Sequence, residues 1–284
     1  MTLNLERIQG LQFEDLRQNY VTRDTILYAL GLGYGADPVD PAELRFVYED
    51  GLHAVPSMVS VLCQPGFWAR DPAFGVDWVK ILHAEQAFEI VAPLPPAGTV
   101  IGRVKVVGVE DKGAEKGAIL HQQKELSSED GALLARVRTT LFLRGNGGQG
   151  SFGEQMPPAP ALPERAPDRV TEIPTSRRAA LIYRLSGDWN PLHAAPEVAR
   201  KAGFDQPILH GLCTFGIACR ALLSEVCAGD PARLKSMFVR FSRPVFPGDT
   251  IRVELFEEAG GFRFRAIAAE RGVVVLDRGS ATLA

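Results

Sequence analysis

The feature that most constrains the fold is an apolar segment that begins at Gly211. Its apolar residues cover most of the circumference of a helix instead of one face; they are Leu212, Phe215, Ile217, Ala218, Leu222 and Leu223. A helix that is apolar all round must be buried, so other parts of the chain have to wrap it. Residues 251–255 and 262–265 alternate apolar and charged side chains, with the period of half-buried strands. The pattern therefore predicts an α+β protein in which a sheet encloses a helix.

The chain also resembles itself at a nearly constant spacing. Pro93–Val100 aligns with Pro244–Ile251 at an offset of 151 residues, and Tyr28 aligns with Tyr183 at an offset of 155. A nearly constant offset indicates an internal duplication. In each copy we expect a helix, a loop, an apolar helix and then strands.

A segment rich in glycine and proline separates the two copies. Residues 145–174 contain the run GNGGQGSFG and the run PPAP, a composition that cannot build a core. We therefore predict an N-terminal repeat at 1–144, a linker at 145–174 that lies over the surface, and a C-terminal repeat at 175–284.

Composition excludes several classes of protein. With 284 residues, of which 46% are hydrophobic, the chain can form two packed units. A net charge of -3 without a basic run argues against nucleic acid or a membrane as a partner. No leader-like N-terminus, 18-residue apolar span or C-terminal Ser-Lys-Leu is present, which favours the cytoplasm. The four cysteines form no Cys-x-x-Cys pair, so buried free thiols are expected.

The chemistry is predicted to lie in the string from Tyr183 to His193, YRLSGDWNPLH. A helix that begins after Thr175 or Ser176 is expected to end at Gly187, which places Asp188 just beyond it. The turn at Asn190-Pro191 then brings Asp188 and His193 toward one point, where a carboxylate and an imidazole form a general acid/base pair. The alternative is a capped turn whose polar side chains only satisfy backbone groups.

A metal site is not expected. His210 and Cys213 stand three residues apart, but no second pair of ligands occurs at a suitable spacing.

Two motifs resemble those of a known family. Residues 186–193, SGDWNPLH, and 209–216, LHGLCTFG, are similar to the signature of the MaoC-like (R)-specific enoyl-CoA hydratases, also called type 2 enoyl-CoA hydratases. The segments 23–31, 82–86, 111–113 and 240–248 extend the resemblance, and the layout looks like the hydratase region of peroxisomal multifunctional enzyme type 2. The resemblance implies a double hotdog fold, with two tandem repeats that each wrap a sheet around an apolar helix.

The resemblance also implies a reaction, the reversible hydration of trans-2-enoyl-CoA to (3R)-3-hydroxyacyl-CoA. Asp188 and His193 are expected to hold and deprotonate the attacking water, and Asn190 to fix the water or Asp188. The backbone N–H of Gly211, at the start of the buried helix, is expected to stabilise the enolate oxygen. At the repeat offset Asp188 and His193 fall on Gly33 and Pro38, so we expect one site per chain, with the first copy contributing the acyl-chain tunnel.

The substrate-binding residues are predicted mainly from the resemblance, which places His83, Ala84, Lys112 and Phe241 in the substrate site. Lys112 or Arg243 can reach phosphates, although a solvated surface charge is an equal alternative. Ala84 replaces a glycine that is common in the family, and its methyl group narrows that end of the pocket. No cofactor besides the coenzyme A thioester substrate is implied, and a homodimer is expected by analogy.

Two other functions stay open at this level. One is a (3R)-hydroxyacyl dehydratase that acts on acyl carrier protein or on an unusual branched, dicarboxylic or steroid CoA ester, with the same acid/base pair. The other is a non-catalytic acyl-CoA-binding protein that has kept the fold. A hotdog thioesterase is disfavoured, because the Gly-Asp-x-Asn-Pro-Leu-His string belongs to the hydratase branch.

Overall fold

The computed structural model describes residues 2–284, and both helices and strands are present. The α-helices in this range are α1 (Leu5–Gln9), α2 (Thr22–Gly31), α3 (Pro41–Leu44), α4 (Ala179–Tyr183), α5 (Pro196–Lys201) and α6 (Gly211–Glu225). The strands are β1 (Leu16–Tyr20), β2 (Ile81–Ile90), β3 (Gly98–Asp111), β4 (Ala118–Ser128), β5 (Leu133–Leu143), β6 (Phe152–Gly153), β7 (Arg169–Pro174), β8 (Leu234–Phe241), β9 (Thr250–Glu258), β10 (Gly261–Ala268) and β11 (Val273–Leu283). Across residues 2–284, no helix combines the length and the apolarity that crossing a membrane requires.

The strands form one continuous sheet whose order repeats. Read from one edge, the order is β1-β3-β4-β5-β2-β8-β11-β10-β9-β7, with β6 paired to β3. Read from each edge to the centre, β1, β3, β4, β5 and β2 match β7, β9, β10, β11 and β8 in turn. The antiparallel pairing of β2 with β8 joins the two halves. This order agrees with the internal duplication, and the fold is the double hotdog that the resemblance implied.

The apolar helix predicted after Gly211 is α6, and it is buried as expected. Ten of its residues are buried, and it contacts β7, β8 and β9 of the second half as well as β2 of the first. Burying a side chain such as Phe215 contributes about 1.5–3 kcal/mol, so this helix supplies much of the core. Cys213, Cys219 and Cys227, together with Cys63, are free and buried, as predicted.

The first copy departs from the predicted order at one point. In place of an apolar helix it has a five-residue 3-10 turn, Pro56–Ser60, and Pro65-Gly66 follows soon after it. The interior there is partly polar: Gln86 Nε2 donates to Ser60 Oγ at 3.3 Å, and Lys124 Nζ donates to a backbone carbonyl. The first half of the sheet therefore encloses a polar network.

The linker predicted at 145–174 lies over the sheet and is partly ordered into it. Arg263 Nη2 donates to the carbonyl oxygen of Pro160 at 2.6 Å, and Arg278 donates to that of Ala159. Residues 169–174 form β7, which pairs with β9 and so belongs to the sheet of the second copy. In β7 only Ile173 is buried, so the sequence carries too weak an alternation to indicate this strand.

A partly buried ion pair connects the first copy to α6. Arg220 on α6 pairs with Glu43 on α3, whose other carboxylate oxygen accepts the N–H of Gly35 at 2.9 Å. The guanidinium also lies 4.9 Å from the centre of the Tyr34 ring. The pair therefore connects the two halves away from the β2–β8 junction.

We expect Glu43→Ala to lower the free energy of unfolding by about 2–3 kcal/mol, less than for a fully buried pair because both side chains keep some exposure. Urea unfolding measures this change. Glu129→Ala is the matched control, since it removes the exposed Arg17–Glu129 pair, and it should leave the unfolding free energy nearly unchanged. Equal effects of the two substitutions would contradict a structural role for the Glu43–Arg220 pair.

Candidate active site

The loop that carries Asp188 and His193 begins where a helix ends. After α4 the chain continues as a 3-10 turn to Ser186 and ends at Gly187, whose φ of 114° is left-handed. Glycine adopts this conformation without the steric penalty that a β-carbon brings. Asp188 therefore lies just beyond the helix end, as the sequence predicted.

Asn190 shapes this loop. Its backbone N–H donates to Asp188 Oδ1 at 3.1 Å, and its own Oδ1 accepts the N–H of Leu192 at 3.1 Å, which caps the turn Pro191–His193. The predicted contact with Asp188 is thus made by the backbone, and the side-chain oxygen holds the turn. Asn190 is exposed, and its Nδ2, which makes no hydrogen bond in residues 2–284, is available to a bound water.

His193 is buried, and its hydrogen bond defines its tautomer. Nδ1 lies 2.8 Å from the carbonyl oxygen of Ile208, and a carbonyl can only accept, so Nδ1 carries the hydrogen. The lone pair is then on Nε2. Burial lowers the pKa of His193, although the Ile208 hydrogen bond and the charge of Asp188 act in the opposite direction. A neutral imidazole with a free Nε2 is the state that a general base requires.

Asp188 and His193 converge, and a second histidine joins them. One carboxylate oxygen of Asp188 and one ring nitrogen each of His193 and His210 lie within 4.8 Å of one another. Two hydrogen bonds of about 2.8 Å can span such a separation, so a single water molecule can bridge Asp188 and His193. The arrangement favours the acid/base interpretation over a turn that only satisfies its own backbone.

The backbone N–H of Gly211 is the first of α6. No group in residues 2–284 accepts a hydrogen bond from it, as is usual for the first N–H groups of a helix. A β-carbon added to Gly211 would lie 3.3 Å from the Phe241 ring. The residue type therefore lets the aromatic ring approach this amide closely, and the helix dipole makes the position favourable for negative charge.

His83 reaches the site from the first copy. Its ring centre lies 4.7 Å from that of Phe241, which is possible because β2 pairs with β8 at the junction of the copies. Ala84 is the extra residue of a β-bulge between His83 and Glu85. The bulge shifts the alternation so that His83 lies on the same face as Gln86, whose Oε1 is 3.0 Å from His83 Nε2. Burial lowers the pKa of His83 to about 4, so this ring is neutral near pH 7.

The two predicted phosphate-binding residues differ in their positions. Arg243 is exposed two residues beyond Phe241, and no acidic side chain in residues 2–284 pairs with it. Lys112 follows the end of β3 and pairs with Glu110. Strands β4 and β5 separate it from β2, which puts it roughly 14 Å from His83 along the sheet at about 4.8 Å per strand. The structure thus groups Arg243 with Phe241 and His83, and places Lys112 at a distance.

His210 is a site residue that the sequence analysis did not assign. Its ring stacks on that of His193, with centres 3.7 Å apart and an angle of 28° between planes. Its Nε2–H donates to the backbone oxygen of Asp188 at 3.2 Å. Burial, followed by the proximity of His193, lowers the pKa of His210 to about 4. Its position directly before Gly211 was the available signal, but the stacking joins residues 17 positions apart and has no local pattern.

The same three side chains satisfy the distances of a metal site. Their orientation does not suit one. Ring nitrogens coordinate in the plane of the ring, and two nearly parallel stacked rings direct their lone pairs along nearly parallel lines. Cys213, the other suggested ligand, contacts the carbonyl oxygen of Gly31 through its sulfur. The geometry is therefore better suited to proton transfer than to metal binding.

We expect His210→Ala to lower kcat about tenfold while KM changes little, because one hydrogen bond that positions Asp188 is lost. His210→Gln can keep a donor and should recover part of kcat, which a purely steric role would not explain. Steady-state kinetics with crotonyl-CoA measures both values. Unchanged kcat in His210→Ala would contradict a positioning role.

Comparisons with known proteins cover both copies. The MaoC like domain matches residues 158–278, and the MFE-2 hydratase 2 N-terminal domain matches residues 18–145. The chain is 40% identical to 3-hydroxyacyl-thioester dehydratase Y of Mycobacterium tuberculosis, over 95% of each chain. It is 39% identical to peroxisomal enoyl-CoA hydratase 2 of Arabidopsis thaliana, over 96% of this chain and 93% of the relative. A MaoC-like dehydratase from Phytophthora capsici is similar in structure, with a TM-score of 0.89, 38% identity and 99% coverage of both chains.

Proposed function

Because this chain belongs to the family of MaoC-like hydratases and dehydratases, we propose that it catalyses the reversible hydration of trans-2-enoyl-CoA to (3R)-3-hydroxyacyl-CoA. One observation carries the proposal: Asp188 and His193 converge beside the start of a buried helix whose first N–H, that of Gly211, has no partner in residues 2–284. Relatives named as enoyl-CoA hydratase and as 3-hydroxyacyl-thioester dehydratase support it.

The reaction needs a hydrogen-bond donor for negative charge. An α,β-unsaturated thioester is electrophilic at C3, and attack there moves electrons onto the thioester oxygen. In our proposal the Gly211 N–H donates to this oxygen, and the dipole of the 15-residue α6 adds positive potential. Phe241 covers one side of this position.

The proton transfers use the two catalytic side chains. Asp188 accepts a hydrogen bond from the attacking water, and His193 Nε2 takes its proton as the new C3–O bond forms. His193, now protonated, then gives that proton to C2 of the enolate and becomes neutral again, so that the elements of water are added across the double bond. No electrons leave the substrate, and the chain itself supplies the base, the acid and the oxyanion donor. We therefore propose a mechanism without a metal or redox cofactor.

The coenzyme A part of the substrate is proposed to follow the junction of the two copies. His83 and Phe241 lie beside Gly211, and Arg243 is an exposed cation close by that can pair with a phosphate. Lys112 can contribute only to the distal end of an extended ligand. Ala84, as the bulge residue, adds a methyl group where family members carry glycine, and we propose that it narrows the pocket there.

We expect the midpoint of the acid limb of the pH profile of kcat/KM to lie below pH 6.5. Burial lowers the pKa of His193 beneath the ordinary histidine value, so the base stays unprotonated at pH values where a free histidine is charged. Initial rates with crotonyl-CoA between pH 4.5 and 8.5 measure the limb. A limb clearly above pH 6.5 would show that His193 is not the titrating base or is not desolvated.

The proposed function is tested with crotonyl-CoA, by following the loss of absorbance of the enoyl thioester. The product should be oxidised by a dehydrogenase specific for (3R)-hydroxyacyl-CoA and not by one specific for the (3S) isomer. Absence of any hydration would favour a non-catalytic acyl-CoA-binding protein, and a (3S) product would contradict the assigned stereochemistry.

A dehydratase that works on other thioesters is the second candidate. The similarity to 3-hydroxyacyl-thioester dehydratase Y favours it, and the same acid/base pair serves both directions. Assays with acyl groups of four to sixteen carbons, on coenzyme A and on acyl carrier protein, separate the two. The homodimer and the cytoplasmic location remain predictions, and gel filtration with light scattering tests the first.

A further inference from the structure

A second cleft lies on the outer face of the sheet, beneath the linker. Its volume is about 220 Å³, and it lies between the strands and residues 156–160. Phe238 of β8 forms part of its floor. Side chains alternate along a strand, so Phe241, three residues further on β8, lies on the other face, with His83. The cleft is therefore separate from the active site.

The floor is a straight row of paired residues across five strands. Ala87 on β2 pairs with Arg138 on β5 and with Phe238 on β8. Phe238 pairs with Ser280 on β11, and Ser280 pairs with Arg263 on β10. The row spans four strand spacings, roughly 19 Å at about 4.8 Å per strand, with an arginine at each end. It crosses the junction of the two copies.

Neither arginine has an acidic partner in the described part of the chain. Arg263 is 9% exposed, and although its Nη2 donates to Pro160, its Nε has no hydrogen-bond partner. The Nε of Arg138 is buried and likewise has no partner. Glu85, the one carboxylate that lines the cleft, is held by Arg240 through hydrogen bonds of 2.7 and 3.0 Å. The cleft thus carries an excess of positive charge.

A buried charge is costly unless it is paired and hydrogen-bonded. Arg263 is buried and Arg138 is half-buried, and both line one cleft without an acidic partner in residues 2–284. They therefore indicate an anion, because a carboxylate or phosphate supplies both the charge and the acceptors. Much of the remaining surface is apolar, with Phe238 and Ala87 in the floor and residues 156–160, MPPAP, in the roof, while Gln86, Thr140 and Ser280 add uncharged polar groups. A ligand that satisfies both surfaces has an anionic group on an apolar body.

We propose that this cleft binds a small anion with an apolar body, such as an acyl carboxylate or a nucleotide phosphate, held between Arg138 and Arg263 under the linker. The proposal does not depend on the hydratase activity. Neither arginine belongs to the active site, so Arg138→Met and Arg263→Met should leave crotonyl-CoA hydration unchanged. A parent protein that binds the anion but does not hydrate would count against the proposed function alone.

The probe is 1-anilinonaphthalene-8-sulfonate, an aromatic anion whose fluorescence rises when it is bound. We expect each arginine substitution to raise its Kd about tenfold, the usual effect of losing one hydrogen bond to a charged group. Arg103→Met is the matched control, because it removes an equal charge from the exposed Arg103–Asp15 pair, and it should not change the Kd. Equal Kd values in the parent and in the double variant would overturn the proposal.

A substitution that fills the cleft tests the proposal even if an arginine variant fails to fold. Ala87→Leu fills the floor without changing charge, and it should abolish probe binding at unchanged Tm. Displacement of the probe by octanoate identifies an acyl carboxylate, and displacement by adenosine 3′,5′-bisphosphate identifies a nucleotide phosphate. Displacement of the probe by inorganic phosphate shows whether an anionic group binds without an apolar body. Displacement by none of the three, or full binding in Ala87→Leu, would overturn the proposal.

Discussion

Asp188→Asn is expected to lower kcat/KM for hydration of crotonyl-CoA by about 10³-fold, within the 10²- to 10⁴-fold range that general acid–base catalysis contributes. The substitution keeps the shape of the side chain, and its oxygen can still accept the N–H of Asn190. Asp188 is exposed, so Tm should hardly change. What is lost is the charge that orients the water and stabilises His193 when it takes a proton.

His193→Ala should be as damaging to the rate, because the base itself is removed. This variant also loses the ring that stacks on His210 and the hydrogen bond to Ile208, so His193→Gln is tested beside it to separate stability from chemistry. Rates come from the absorbance of the enoyl thioester and Tm from thermal unfolding. Pro38→Ala, at the corresponding position of the first copy, is the control and should keep its activity. Normal rates in both Asp188→Asn and His193→Ala would exclude the proposed mechanism.

Gly211→Ala is expected to lower kcat by up to about 10²-fold, because the added methyl group hinders the approach to the amide and so removes part of the stabilisation that one oxyanion donor supplies. The amide stays in place, but the new β-carbon meets the Phe241 ring at 3.3 Å. The ring and the methyl group must move apart, and the space in which the thioester oxygen approaches the amide changes. The reaction should therefore suffer more than folding does.

The measurement is kcat and KM with crotonyl-CoA, with Tm recorded for each variant. Gly10→Ala is the control, since Gly10 lies at the end of α1 and an added β-carbon there meets only an ordinary contact at 3.4 Å. Its kinetics should match the parent. A kcat in Gly211→Ala within twofold of the parent would contradict the prediction that the thioester oxygen must approach this amide closely beside the Phe241 ring.

The parts of the site that were predictable are local in sequence. Asp188 and His193 are five residues apart, and the helix end at Gly187 and the turn at Asn190 bring them together through short-range hydrogen bonds. Backbone preferences of glycine, asparagine and proline decide such a loop almost regardless of its surroundings. The role of the Asn190 side chain was less predictable, because its oxygen caps the turn instead of contacting Asp188.

The long-range parts of the site were not accessible in the same way. His83 belongs to the site because a bulge at Ala84 shifts the alternation of β2 and because β2 pairs with β8. Without the bulge, the regular alternation would place His83 and Gln86 on opposite faces. Lys112 follows the end of β3, and strands β4 and β5 lie between β3 and β2, so Lys112 is far from His83. No sequence motif indicates this separation.

The sequence by itself determined the duplication, the enclosed apolar helix and the convergence of Asp188 with His193, because periodicity and turn chemistry act over a few residues. Only the tertiary structure decided that the first copy encloses a 3-10 turn and a polar network, that His210 stacks on His193, and that two arginines face one cleft under the linker. These features depend on strand register and on contacts between residues far apart in the chain.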